Sequence, residues 1–453
     1  MAWVILFKTN TISLRESGQE IHARIADSAI PPQLPGEDSA MSHSSPGVRI
    51  PLRLPTASAT FAIAIAGYLA VNLSPYMITA LQGAIGADFV AAGWIVTLVL
   101  LATAIIGLAV APLCAGRSRM LVARGGLALG VLAFGIAAMS PSTEVMIASL
   151  LLGGAGAGGA VAASGAAFAA FANPDRVAGL NGLANRGVIT VVLAVVPMLG
   201  LAPINVFGAL ALFCLIGLAL SPWLPQAPIT QDVPQRTRGG SPRTADRRET
   251  RAGLLLLAAF ALWAVTEDSL WAMGGVLGDS QAGVSAQGLG FALSGSTAGG
   301  LIGSMVLMIV GGRIGRAVPM GILMLLGSIL KLATGFATDP VVFILLFIAW
   351  NTTYAVVFMY FVAVAAALAA DGRWSGPLLA VYLIGSSLTP VIGAGLLASL
   401  GNQGFTLVLA IASMALAVPA VAVALFSSRG NRAAEETAPP GESLPVASNS
   451  LEA

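Results

Sequence analysis

The stretch Ser221–Arg251, SPWLPQAPITQDVPQRTRGGSPRTADRRETR, divides the sequence into two parts. It contains six arginines, several prolines and the pair Gly239–Gly240, which is the composition of an unfolded, solvated linker. On each side lies a block of similar length in which almost every side chain is apolar. We therefore expect two apolar units joined by a polar linker.

The overall composition predicts a membrane protein. Of the 453 residues, 57% are hydrophobic and 9% are charged, whereas soluble domains carry about 25% charged residues. A soluble core of this size would leave too little polar surface to cover it. Cys114 and Cys214 lie in apolar runs and are too few for a disulfide framework, so we interpret them as small buried side chains. We expect no metal, cofactor or nucleic-acid partner.

Twelve segments are long and apolar enough to cross a bilayer, which takes about 20 residues for about 30 Å of hydrocarbon. Each should be a helix, because an open strand edge in lipid leaves backbone groups unpaired. We number them spans 1 to 12: 57–81, 92–114, 120–140, 143–171, 177–200, 203–222, 253–277, 286–310, 317–337, 341–368, 375–399 and 404–427.

Basic residues fix the predicted orientation through the positive-inside rule. If residue 50 is cytoplasmic, every Arg from Arg49 onward that lies between spans or in the tail falls on the cytoplasmic side. The loops on the opposite side carry no Lys or Arg. Both termini and the linker are therefore predicted to be cytoplasmic.

The two apolar blocks also resemble each other. Arg117-Ser118-Arg119 follows span 2, and Arg313-Ile314-Gly315-Arg316 follows span 8, about 196 positions later. An Arg-x-x-Gly sequence after span 4 recurs after span 10 at a spacing of 197. Near-constant offsets predict two related six-helix units, the kind of internal repeat that transporter folds show. The predicted divisions are a disordered extension at 1–50, bundles at 51–222 and 253–428, a linker at 223–252 and a disordered tail at 429–453.

On these arginine loops, the chain resembles the major facilitator superfamily over about residues 50–430. Gly311-Gly312-Arg313-Ile314-Gly315-Arg316 is similar to the loop motif of that family, while the first copy has Ala115 where the family usually has Asp, and span 4 lacks the family's arginine. The resemblance implies an all-α polytopic fold of two pseudo-symmetric bundles that rock about a central cavity. It also implies that Arg117, Arg119, Arg313 and Arg316 help to hold one conformation; the alternative is that they only set topology.

Two acids lie inside a span. Glu267 and Asp268 in span 7 are about 14 residues, or about 20 Å, from its cytoplasmic start. A carboxylate at this depth is costly, so we predict a function for it as a proton carrier; the alternative is a polar cap at a water-exposed helix end. Neighbours on a helix differ by about 100°, so only one of the two should face the cavity.

Two basic side chains also lie inside spans. Arg186 is in span 5, beside Asn181 and Asn185, and this patch is predicted to contact substrate or to pair with the acids of span 7. The alternatives are a structural ion pair or an arginine that reaches the headgroups. Lys331 lies near the outer end of span 9, where we expect its long side chain to reach water.

Aromatic and amide side chains supply further candidates for the cavity wall. The family's cavity is lined by spans 1, 4, 7 and 10, and several polar residues of this chain fall there or on span 11. For any single aromatic residue the alternative is an interfacial or packing role. The candidates are Asn72, Tyr76, Trp263, Asn351, Tyr354 and Tyr382.

The glycine-rich run Gly153–Gly159 in span 4 contains a Gly-x-Gly-x-x-Gly match. It lies inside an apolar helix, with no preceding strand and no following acid, so it does not indicate a dinucleotide site. Small residues at this spacing let transmembrane backbones approach closely. We predict that the run serves helix packing.

The functional prediction is a secondary transporter of a small organic solute, driven by protons and working as an efflux carrier. We expect a monomer in the inner (cytoplasmic) membrane, surrounded by lipid. The alternatives are proton-coupled uptake of an organic anion, with Arg186 as its counter-charge, and a non-transporting sensor of the same fold. An enzyme is not expected, because His22 and His43 both lie in the predicted disordered extension and no catalytic constellation is present.

Overall fold

A computed structural model describes eight stretches of the chain: residues 50–114, 118–140, 142–168, 170–171, 174–226, 247–310, 315–368 and 374–436. Arg117 and Arg313, most of the linker, residues 1–49 and residues 437–453 lie outside the described residues. The division into two bundles with a linker therefore stays a prediction. Residues 429–436, which were predicted to begin a disordered tail, instead continue the last helix.

The first six spans are helices close to the predicted limits. Span 1 is interrupted at Leu73, one residue before the Ser74-Pro75 pair that starts its second helix, as expected where proline cannot donate a backbone hydrogen bond. The helices are Leu54–Asn72 and Ser74–Ile85 (span 1), Phe89–Cys114, Arg119–Met139, Thr143–Phe168, Pro174–Leu199 and Pro203–Leu220.

The last six spans are also helical. Span 11 is interrupted at Leu388, and its second helix runs on into span 12 through a kink at Gly401, whose φ of 68° lies in the left-handed region. The helices are Arg247–Ala282 (span 7), Ala286–Val310, Ala317–Thr334, Pro340–Leu368, Ser375–Ser387 and Thr389–Glu436. Because one helix covers parts of two spans, the described residues contain 11 helices that are long and apolar enough to cross a membrane.

The outer surface of the helices is apolar. Large side chains such as Leu121 (75% exposed), Met139 (76%) and Val418 (72%) point outward without covering partners. A helix that is apolar on all sides is typical of a membrane span. The described helices thus form an all-α, multi-pass membrane protein, as the composition predicts.

The glycine run of span 4 packs against spans 2 and 3. An added Cβ on Gly126 in span 3 would lie 2.6 Å from the carbonyl oxygen of Gly156, and one on Gly107 in span 2 would lie 3.2 Å from that of Gly158. Only glycine allows backbones to approach this closely. The packing role predicted for Gly153–Gly159 is confirmed.

Candidate functional site

Glu267 and Asp268 are both buried in span 7, at 3% and 8% exposed, but they face different neighbours. The helical rotation of about 100° between them turns one toward spans 9 and 12 and the other toward span 11. The two acids therefore belong to two separate polar clusters.

Glu267 forms a buried ion pair in which both carboxylate oxygens have partners. Lys331 Nζ lies 2.6 Å from Oε1, and Ser413 donates a hydrogen bond of 2.9 Å to the same oxygen. The indole N–H of Trp350 donates to Oε2 over 2.6 Å. These partners come from spans 9, 12 and 10, so the carboxylate ties four helices of the second half together.

The expectation that Lys331 reaches water is wrong. Its side chain is fully buried, and its charge is compensated by Glu267. The partner lies 64 positions away in sequence, so its proximity could not be read from the local pattern around Lys331. A buried, paired charge is far less costly than a buried single one.

Asp268 lies in a cluster of aromatic hydroxyls. Tyr354 donates a hydrogen bond of 3.0 Å to Oδ1, and the hydroxyl oxygens of Tyr354 and Tyr382 lie 3.1 Å apart. Oδ2 is buried without a hydrogen-bond partner, although the hydroxyl of Ser386, itself unpartnered, lies beside the carboxylate. Within the described residues no basic side chain lies within ion-pair distance of Asp268. The carboxyl group thus has an oxygen free to bind a proton.

An aromatic wall surrounds this cluster. The ring of Trp263 packs 5.3 Å from that of Tyr354, and its buried indole N–H has no hydrogen-bond partner. The ring of Tyr382 packs 5.8 Å from that of Phe260. Unpartnered donors and acceptors are rare in a buried site, so these atoms mark the cluster as a candidate functional site.

Arg186 approaches the same cluster from the first half of the chain. Its guanidinium lies within electrostatic range of the hydroxyls of Tyr354 and Tyr382. It also lies against span 8, where an added Cβ on Gly300 would be 3.9 Å from Nη1. Asn181 and Asn185 are half-buried on the same helix, and the buried Oδ1 of Asn181 has no partner.

The other predicted cavity residues are dispersed. Tyr76 is fully buried, and its hydroxyl donates a hydrogen bond of 2.6 Å to the carbonyl of Leu193 in span 5, so in this conformation it packs two helices together. Asn72 donates to the carbonyl of Tyr68 within its own helix. Asn351 is buried, and its Oδ1 has no partner.

Hydrogen bonds between the two halves lie at mid-depth and in the outer parts of the spans, as the predicted orientation defines them. The hydroxyl oxygens of Thr190 (span 5) and Thr297 (span 8) lie 2.8 Å apart. The indole N–H of Trp271 (span 7) donates to the carbonyl of Asn72 (span 1) over 3.3 Å. The hydroxyl of Thr97 (span 2) accepts a hydrogen bond of 3.0 Å from the backbone of span 11. These contacts hold the two halves together at mid-depth and in the outer part of the spans.

A cavity of about 420 Å³ lies between spans 1, 2, 4 and 11, in the inner part of spans 2 and 4. Spans 7 and 10, which the resemblance placed in the cavity wall, do not line it. Its described lining residues are Gly67, Tyr68, Val71, Leu100, Thr103, Ala104, Gly107, Leu108, Ala111, Val161, Ala162, Gly165, Ala166, Leu383 and Ser387.

Arg119 is the one loop arginine of the predicted four that the structure describes in a fixed, buried position. It is 1% exposed, its Nε donates to the carbonyl of Cys114 at the end of span 2, and its Nη1 donates to that of Pro225; both bonds are 2.9 Å. It therefore fastens the beginning of the linker to a helix end. Arg316 is half-buried at the start of span 9.

Sequence reasoning missed several of these residues. Ser386 and Ser413 lie in apolar runs, where a serine most often bonds its own helix backbone. Thr190 and Thr297 were not predicted to contact each other, because a threonine in an apolar run also most often bonds its own helix backbone. Tyr68 and Trp350 were visible as polar aromatics, but nothing in the sequence distinguishes a residue in the cavity wall from one that binds Glu267.

Comparison with solved structures identifies the architecture. The chain is similar to a peptide transporter POT bound to sulfate (TM-score 0.66, 13% identity, 84% of this chain and 97% of that chain). It is similar to a D-xylose-proton symporter (TM-score 0.62, 16% identity, 82% and 96%). It is also similar to the nucleoside transporter NupG (TM-score 0.60, 14% identity, 82% and 99%). No family model matches the sequence, and no curated protein does. At these identities the likeness concerns the fold, and the chain has the fold of the major facilitator transporters, as its arginine loops implied.

Proposed function

We propose that this protein is a secondary active transporter that moves a small organic solute by alternating access in exchange for protons, with Asp268 as the proton carrier. The structural neighbours include a proton symporter and transporters of peptides and nucleosides, which supports transport as the general function. The observation that carries the proposal is the position of Asp268, a buried carboxylate with an unpartnered oxygen beside a broken helix whose other face lines a cavity.

Glu267 is less suited to carry the proton. Its two oxygens already accept three hydrogen bonds, one of them from a lysine ammonium. Protonation would break the ion pair and leave Lys331 as an uncompensated buried charge. Asp268 has no such partner, so it can gain and lose a proton at a smaller cost to the surrounding structure.

The observed conformation fits one state of the transport cycle. Spans 1, 2, 5, 7, 8 and 11 are in contact across the two halves at mid-depth or in their outer parts, and the cavity lies toward the side predicted to be cytoplasmic. In the proposed direction, efflux, the solute enters this cavity from the cytoplasm and protons enter from outside. The protein would reside as a monomer in the inner membrane, with both termini cytoplasmic.

The test is solute-dependent proton flux in proteoliposomes with an imposed pH gradient, followed by a trapped pH-sensitive dye. We expect Asp268→Asn to abolish the solute-dependent flux. The matched control is Asp279→Asn, the same change on an exposed residue of the same helix, which should leave the flux intact. If the Asp268→Asn and Glu267→Gln variants both transport fully at every pH tested, the assignment of the proton site to these acids is wrong. If the wild type shows no flux across a broad solute panel, the protein is better described as a sensor.

Uptake of an organic anion is the second candidate. It is favoured by Arg186, which is half-buried and, within the described residues, has no carboxylate in ion-pair distance. An anionic solute would compensate this charge. Arg186→Gln should then abolish accumulation of anions while leaving transport of neutral solutes unchanged, and efflux of a neutral solute that survives in this variant would favour the first candidate.

A further inference from the structure

The cavity between spans 1, 2, 4 and 11 has an unusually uniform wall. Among its described lining residues there is no charged side chain, and only Tyr68, Thr103 and Ser387 carry a polar group. Its volume of about 420 Å³ falls within the range of about 300–1,000 Å³ that small-molecule sites occupy. A charged solute would lose its hydration here without gaining a counter-charge, which is strongly unfavourable.

Two of the three polar side chains already donate their hydroxyl proton to a backbone carbonyl. The hydroxyl of Thr103 donates to the carbonyls of Val99 (3.1 Å) and Gly154 (2.9 Å), and that of Ser387 donates to Ile384 (2.8 Å). Tyr68 differs, because its hydroxyl has no hydrogen-bond partner within the described part of the chain. It can therefore donate to, or accept from, a molecule in the cavity.

Span 11 separates the cavity from Asp268. Leu383 and Ser387 are four positions apart, so they share one face of the helix, and this face lines the cavity. Tyr382 and Ser386 share the adjacent face, which lies beside Asp268. A molecule in the cavity thus contacts span 11, which carries Tyr382 and Ser386 beside Asp268, but it does not contact Asp268 itself.

We propose that this cavity binds a neutral, largely apolar organic solute and that the hydroxyl of Tyr68 holds it by one hydrogen bond. This inference rests on the proposed transport function and names the class of its solute. Because the solute and the proton would bind on adjacent faces of the helix Ser375–Ser387, their coupling passes through that helix and not through competition for Asp268.

The experiment measures equilibrium binding of radiolabelled 1-naphthol to the full chain in nanodiscs, with empty nanodiscs as the baseline. Two competitors carry the same ring system with a charge, 1-naphthalenesulfonate and a naphthyl trimethylammonium salt. We expect saturable binding of 1-naphthol that unlabelled 1-naphthol displaces and that neither charged analogue displaces at equal concentration. Equal displacement by either charged analogue, or no displaceable binding of 1-naphthol, overturns the proposal.

Paired variants locate the site. Tyr68→Phe should weaken binding about 3- to 10-fold, the usual effect of one hydrogen bond, whereas Tyr360→Phe, the same change outside the cavity, should not. Ala104→Trp fills the cavity and should abolish binding, whereas Ala109→Trp, on an exposed position of the same span, should not. Retained affinity in both Tyr68→Phe and Ala104→Trp would refute the assignment.

The binding assay needs no gradient, so it separates the two proposals. If 1-naphthol does not bind but other solutes drive proton flux that depends on Asp268, the class of solute is wrong and the transport function stands. If 1-naphthol binds as described while no solute drives flux, the site is right and the transport function is wrong.

Discussion

Replacing Lys331 with methionine tests whether the buried ion pair supports the second half of the molecule. Lys331→Met keeps the length and volume of the side chain but leaves the carboxylate of Glu267, which is 3% exposed, with only Trp350 and Ser413 as partners. Removing one member of a buried pair typically costs about 3–5 kcal/mol. In the double variant Glu267→Gln, Lys331→Met, the amide can still accept from Trp350 and no charge remains, so we expect a loss of about 0–2 kcal/mol.

The assay is reversible unfolding by sodium dodecyl sulfate in mixed micelles, followed by tryptophan fluorescence, for the wild type, both single variants and the double variant. The double-mutant cycle should give a coupling free energy of at least about 2 kcal/mol. Asp279→Asn, an exposed carboxylate on the same helix, serves as the control and should change the free energy of unfolding by less than about 0.5 kcal/mol. The reasoning is refuted if Lys331→Met costs less than about 1 kcal/mol, or if the two single effects simply add.

Two further predictions concern packing and conformation. Gly156→Ala should lower the free energy of unfolding by about 1–3 kcal/mol, because the new methyl group would meet backbone atoms of span 3. The control Gly135→Ala adds a methyl group where there is open space, so it should not destabilise the protein. Equal effects of the two substitutions would contradict the packing argument. In a background without native cysteines, Thr190→Cys with Thr297→Cys should form a disulfide on oxidation and arrest transport, since the two hydroxyl oxygens lie 2.8 Å apart. The pair Thr190→Cys with Ser304→Cys, placed two helical turns further along span 8, should not cross-link. Continued transport by the cross-linked protein would exclude separation of spans 5 and 8 as part of the cycle.

The positions of the helices could be predicted from the sequence because lipid imposes a simple rule on each segment separately. About 20 apolar residues between polar breaks must form a helix, whatever they later pack against. The predicted limits of span 8, 286–310, coincide with the observed helix Ala286–Val310. The helix interruptions at Leu73 and Leu388 lie close to Pro75 and Pro390, where the missing backbone N–H favours a kink.

The candidate site was predicted only in part. Local composition showed that acids at 267 and 268 inside a span are costly, but it could not show which helix each one faces. Glu267 finds Lys331, 64 positions away, and Asp268 finds Tyr354, 86 positions away. The same limitation applies to Tyr76, a cavity candidate that is a buried packing residue in this conformation.

The sequence by itself determined that this chain crosses the membrane many times as helices, because hydrocarbon accepts little else, and its arginine loops indicated the repeat and the fold. Only the tertiary structure decided that Glu267 is closed into an ion pair while Asp268 keeps an unpartnered oxygen, and that the cavity lies beside Tyr68. The physical reason is that burial and pairing depend on side chains brought together from distant helices, whereas insertion into lipid depends on each segment alone.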